Sequence, residues 1–242
     1  MEEHQHPMHC SRLIVFAFTL LAATATLAGI TPQLSPPMHV TATALIPLTS
    51  SRKEFKIIDG KDEGRLVPVT FQADPTDDKR WKLSFGDYGR ISLRSSSGAL
   101  FMDRLDLLKS KSYVIYEPAL RVLPAEIESA VAILRETSYK MYNVDTGRLK
   151  RSGRVTHLVK QISRSRFSTP AGLIDGYHIE IEHKMDMEYR SQLLLTVSLG
   201  CRLDDGLVYG SSHYRLSKLG GLLTETKTSS AALSKGSIEP NS

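Results

Sequence analysis

Apolar and polar residues alternate with a period of two along most of the chain, the signature of β-strands with one inward face. Tyr177, Ile179, Ile181, His183, Met185, Met187 and Tyr189 occupy alternate positions. His178, Glu180, Glu182, Lys184, Asp186, Glu188 and Arg190 lie between them. One face of this segment is nearly all apolar, and the other is ionisable. At roughly 3.3 Å per residue such a strand would reach roughly 46 Å, far beyond the usual length of about 5–6 residues. A half-solvated strand of that length predicts a large, strongly curved antiparallel sheet. The same parity runs on through Leu193, Leu195, Val197, Leu199, Cys201 and Leu203, with an interruption near 190–192.

Upstream, MHVTATALI, KEFKIID, RLVPVTFQA, RWKLSF and GRISLRS read as short strands. Asp59-Gly60, Glu63-Gly64, Asp74-Pro75 and Ser97-Gly98 supply the turn chemistry between them. Residues 100–116 read as two strands around Lys109-Ser110-Lys111. Downstream, Asp204-Asp205-Gly206 predicts a hairpin turn, and Gly220-Gly221 precedes a final strand. Between 124 and 137 the period changes. Pro124 and Glu126 suit a first helical turn, and Ile127, Val131 and Leu134 recur at spacings of four and three. The expected fold is therefore mainly β (α+β): a strongly curved antiparallel sheet, a half-barrel, with one main helix over about 124–137 on its concave face.

The ends of the chain differ from this body. Residues 13–30 are uncharged and apolar, follow Arg12, and end in small residues, which describes a secretory signal or an uncleaved N-terminal anchor. Residues 31–37 form a Pro-rich linker, 38–228 a single β-rich domain, and the Ser-rich 229–242 a disordered tail. An exported, periplasmic location follows, free or anchored. Without residues 1–30 the formal charge rises from +5 to +6, because Glu2, Glu3 and Arg12 are lost. That is mildly basic, below the density of a nucleic-acid binder. The basic run at Arg148, Lys150, Arg151 and Arg154 is a candidate patch for an anionic membrane surface or an envelope protein. Cys201 falls on the apolar side of its strand and is expected to be buried.

Two stretches carry a family resemblance. MDRLDLLKSKSYVIYEP (102–118) resembles a strand pair of periplasmic proteins shaped like the lipoprotein-sorting carriers. FSTPAGLIDGYHIEIE (167–182), followed by GLVY (206–209), resembles the T-x-P-A-G … G-L-V signature of envelope domains of unknown function. The chain departs from that signature by having Leu173-Ile174 where an aromatic is usual, and by the long segment between its two parts. The resemblance implies an open half-barrel with an apolar interior, which in the sorting carriers holds acyl chains.

The chain has no G-x-S-x-G elbow, P-loop, G-x-G-x-x-G or C-x-x-C motif. His178, Glu180 and Glu182 share a strand face and read as a solvated charged surface, with metal binding as the rival reading. His183 interrupts the apolar face and reads as a satisfied interior histidine, with ligand or pH-sensing roles as alternatives. The expectation is a non-enzymatic envelope protein without cofactor or metal, binding or carrying a lipid or lipoprotein acyl chain. Its lining would be Tyr177, Ile179, Ile181, Met185, Met187, Tyr189, Leu193 and Leu195, lidded by Ile127, Val131 and Leu134. The alternatives are an envelope interaction module with a filled core, and a hydrolase or metal enzyme.

Overall fold

The computed structural model describes residues 39–128, 132–188 and 191–234; the expected leader and linker lie outside them. The first strand, β1 (His39–Thr41), runs into a one-turn helix, α1 (Ala42–Leu45), capped by the Thr41 hydroxyl. A hairpin meander follows: β2 (Ser51–Asp59), β3 (Leu66–Asp74), β4 (Asp77–Phe85), β5 (Gly89–Ser96), β6 (Ala99–Leu107) and β7 (Ser112–Leu123). After the short β8 (Glu126–Glu128) it resumes as β9 (Ile133–Asn143), β10 (Leu149–Thr169), β11 (Gly172–Met187), β12 (Ser191–Arg202), β13 (Gly206–Lys218) and β14 (Leu223–Leu233).

Among the described residues, twelve of these strands close into one antiparallel barrel, each beside its neighbour in sequence except where β7 meets β9 and β14 meets β2. The expected half-barrel is thus a complete barrel. Its seam is short: Ser230, Ala231, Ala232 and Leu233 face Asp59, Ile57, Lys56 and Phe55. Closure removes the two open edges that a curved sheet would leave for aggregation. β14 includes Ser229–Leu233, placed by sequence in the tail, because Ala231, Ala232 and Leu233 are buried at this seam. Ser234 N–H donates to Glu54 C=O at 2.8 Å, and residues 235–242 of the expected tail lie outside the described residues.

Strand parity sets what faces inward. Ile179, Ile181, His183 and Met185 are buried, while Glu180 and Glu182 remain partly exposed and both pair with Lys160. Charged groups outside and apolar groups inside are the inverse of the pattern in outer-membrane barrels. No helix among the described residues is long and apolar enough to cross a membrane.

The described residues of 124–137 form no helix. β8 pairs with β1 (Val40 opposite Ile127), and from Ile133 the chain is strand, with Thr137, Tyr139 and Met141 buried on alternate positions. Three apolar residues at helical spacing were a weak signal. Ile133, Thr137, Tyr139 and Tyr142 favour a pleated surface, and the ladders to β7 and β10 on either side decide the outcome. A helical lid is therefore lost as well. Ile127 is buried in β8, Leu134 is 52% exposed, and Val131 lies outside the described residues. MHVTATALI, expected as a strand, is split between β1 and α1. Together with β8 this segment covers part of one end of the barrel: Ala42 N–H donates to Ala125 C=O, and Asp204 N–H to Ala44 C=O.

Thr169-Pro170-Ala171-Gly172 forms the β10–β11 hairpin turn, with Thr169 opposite Gly172. Pro170 and Ala171 occupy the two loop positions, where Pro has no ladder bond to lose. Gly172 follows with φ +119°, a conformation open to glycine. From this turn the register holds to Gln161 opposite Glu180, then slips by one at Lys160, so that Val159 faces Ile181. That bulge reverses the parity of β10 and turns both Val159 and Ile162 inward.

Candidate functional site

The lumen is not completely filled. A cavity of about 230 Å³ is walled by Phe55, Phe71, Leu93, Met102, Ile181 and Val197, and extends toward the partly covered end of the barrel. Its mouth lies between the α1–β2 connection (Pro47, Thr49) and the β12–β13 turn (Asp204, Asp205). There Lys53 Nζ lies 2.7 Å from Asp205 Oδ1 and donates at 3.5 Å to the Leu207 carbonyl. Each wall residue follows from period-two alternation in its own strand. The unfilled space exists because the strands enclosing it are joined round a closed circumference.

Two imidazoles stand in this apolar wall. His157 of β10 and His183 of β11 are register partners, brought opposite each other by the slip at Lys160. Their Nδ1 atoms are 2.8 Å apart, the rings are nearly perpendicular, and His157 Nε2 is 2.9 Å from the Val122 carbonyl. A carbonyl only accepts, so Nε2 of His157 carries the proton. Its Nδ1 therefore accepts, and Nδ1–H of His183 donates. Burial holds His157 down at about 4, against a smaller upward pull from the Val122 hydrogen bond. His183 is pushed well below the ordinary histidine value by burial and then by its neighbour. Both rings are neutral at pH 7. The interior-histidine reading of His183 thus acquires a partner, and the arrangement makes an uncharged polar spot rather than a general base at neutral pH.

Of the lining expected from sequence, Ile181 forms part of the cavity wall. Ile179, Met185, Leu193 and Leu195 are buried in the core away from it, and Tyr177 and Met187 are half-buried against that core. Tyr189 lies outside the described residues. The walls contributed by β2–β6 were missed; Phe55, Phe71, Leu93 and Met102 alternate like the rest, and no local signal separates a wall facing space from one facing side chains.

The basic run does not form one surface. Arg148 and Arg154 are exposed, Lys150 reaches the buried Ser112 hydroxyl at 2.7 Å, and Arg151 rests on Met187 Sδ at 3.4 Å. His178 is held below its ordinary value by burial, against the Glu180 charge. Among the described residues no group of three or more His, Cys, Asp or Glu side chains is placed to hold a metal. Cys201 is buried and free, its thiol pushed up to about 12 by burial, against the opposing influence of Lys53. Comparison with protein-family models, with curated proteins and with solved structures gave no match to this chain.

Proposed function

We propose that this protein is a non-enzymatic binder of a slender apolar or amphiphilic ligand, an alkyl or acyl chain, held in the barrel lumen. The observation that carries the reading is the cavity of about 230 Å³, lined by aliphatic and aromatic side chains and open at one end. An apolar cavity of about 150 Å³ already takes up benzene, while sites for drug-sized ligands run roughly 300–1,000 Å³. The volume suits part of one chain and no bulky ring system. The ligand's charged end would stay at the mouth beside Lys53 and Asp205, since the deep polar spot is neutral. The leader-like residues 13–30 support service in the cell envelope, exported and free or anchored.

Native mass spectrometry of the purified protein and titration with a fluorescent fatty acid test this reading. Saturable one-to-one binding is expected, weakened at least tenfold by Val197→Phe, which fills the cavity from its wall. No co-purified lipid and no saturable binding would overturn it. A second reading, an envelope interaction module, is favoured by the modest volume and by the dense packing of Ile179, Met185, Leu193 and Leu195. It predicts that Val197→Phe stabilises the fold and changes nothing else.

A further inference from the structure

At the end of the barrel opposite the cavity mouth, the β9–β10 turn presents an amphipathic knob. Val144 and Leu149 are 52% and 55% exposed, and the turn residues between them are exposed as well. This is a rigid display. Asn143 Oδ1 accepts from Thr146 N–H at 2.9 Å, Asn143 C=O accepts from Gly147 N–H at 3.0 Å, and Val144 N–H donates to the Lys111 carbonyl at 2.8 Å. The knob continues down the outer wall. Leu149 is the register partner of Tyr142, Tyr142 stacks on Tyr113 at 5.2 Å, and the Arg104 guanidinium lies 4.0 Å above the Tyr113 ring.

Positive charge surrounds these apolar groups. Arg104 and Lys111 are balanced by Asp106 and Asp145. Lys150 bonds a hydroxyl, and the exposed Arg148 has no carboxylate partner among the described residues. Four cations thus face two carboxylates. Other turns of this end carry Asp62, Glu63 and Asp87 alongside Lys61, Arg65 and Lys109, whereas β8 and the β12–β13 turn at the opposite end carry Glu126, Glu128, Asp204 and Asp205, the last paired with Lys53. Leucine and valine at a tip, tyrosines just behind, and Lys and Arg around them match the layers of a bilayer surface: acyl boundary, interface, and anionic headgroups.

We infer that this end of the barrel docks on an anionic lipid bilayer, with Val144 and Leu149 entering the acyl boundary and the exposed Arg148 and Lys111 meeting headgroup phosphates. The inference is independent of whether the lumen holds a ligand. Docking in this way leaves the cavity mouth pointing away from the bilayer.

The test uses the full chain with Leu149→Cys carrying an environment-sensitive fluorophore, in a Cys10→Ser background. Cys201 does not compete for label, being buried with a raised thiol value. A probe at 149 reports this surface even if residues 13–30 also bind lipid. A blue shift is expected on vesicles of mixed phosphatidylglycerol and phosphatidylcholine, and none on pure phosphatidylcholine. The apparent affinity should fall about fivefold for each positive charge removed, so Arg148→Glu with Lys111→Glu should abolish the shift, as should high salt. A second reporter, Val144→Cys, must behave alike. A probe that stays in water on both vesicles overturns the proposal, and so does an equal shift on both. Protection of residue 149 by an envelope protein but not by vesicles would also overturn it, in favour of a protein partner.

Discussion

Acidification should unfasten the barrel through the His157–His183 pair. A free histidine in the unfolded chain takes up a proton near pH 6.5, whereas His157 in the barrel does so only near 4, and burial likewise pushes His183 well below its ordinary value. Between these values the unfolded chain binds more protons than the native one, so stability is complete above about pH 6.5 and falls as the pH drops toward 4. A displacement from 6.5 to about 4 for His157 amounts to about 3 kcal/mol at about 1.4 kcal/mol per unit. His183 adds a loss of the same sign, and against a total stability of about 5–15 kcal/mol the combined effect is large. Burial is the main reason, since it penalises the charged ring, and a proton added at His157 Nδ1 would also set two N–H groups against each other across the 2.8 Å gap. The assay is urea unfolding followed by circular dichroism at several pH values from about 7.5 to about 4.5, for the wild type and a His157→Gln/His183→Gln variant. Glutamine keeps a donor for the Val122 carbonyl. His178, also held low by burial, contributes to both proteins and cancels in the comparison. Asp74, Asp87 and Asp175, held below the usual carboxylate range, act at lower pH. The wild type should lose stability faster than the variant across this window. Parallel loss in the two proteins would refute the reasoning.

Two further expectations concern packing. A Cβ on Gly200 would stand 2.8 Å from the Phe167 ring and from Tyr209 Cβ, so Gly200→Ala should destabilise by about 1–3 kcal/mol, read as a lower urea midpoint with unchanged slope. The Cys201 thiol, buried and raised to about 12, should be inert to a thiol reagent at neutral pH and react stoichiometrically once the barrel is unfolded.

Much of the architecture was legible because strand parity is a local property. The turns at Asp59-Gly60, Ser97-Gly98 and Asp204-Asp205-Gly206 fall between observed strands, and the 177–190 stretch coincides with most of β11. The hairpin across Thr169–Gly172 brings Lys160 to Glu180 and Glu182, and Arg166 to Asp175 at 2.6 Å, since opposite charges were already spaced to meet across the turn. The segment at 124–137 misled because an eight-residue window holds too few apolar positions to separate a period of 3.6 from coincidence. The histidine pair was invisible for a different reason. Register carried unbroken from the turn would set Lys184 opposite His157, and only the bulge at Lys160 substitutes His183.

Alternation of side chains thus determined, without any tertiary information, that this chain makes antiparallel strands with a greasy face and a charged face, and where most of them turn. Whether those strands stop at a curved sheet or meet end to end was decided by the seam between β14 and β2, two segments some 170 residues apart whose four paired positions carry no local mark. Closure fixes the circumference, the circumference sets how far the walls stand apart, and that separation leaves a hollow beside two neutral histidines. Local pattern carries no information about the distance across a lumen.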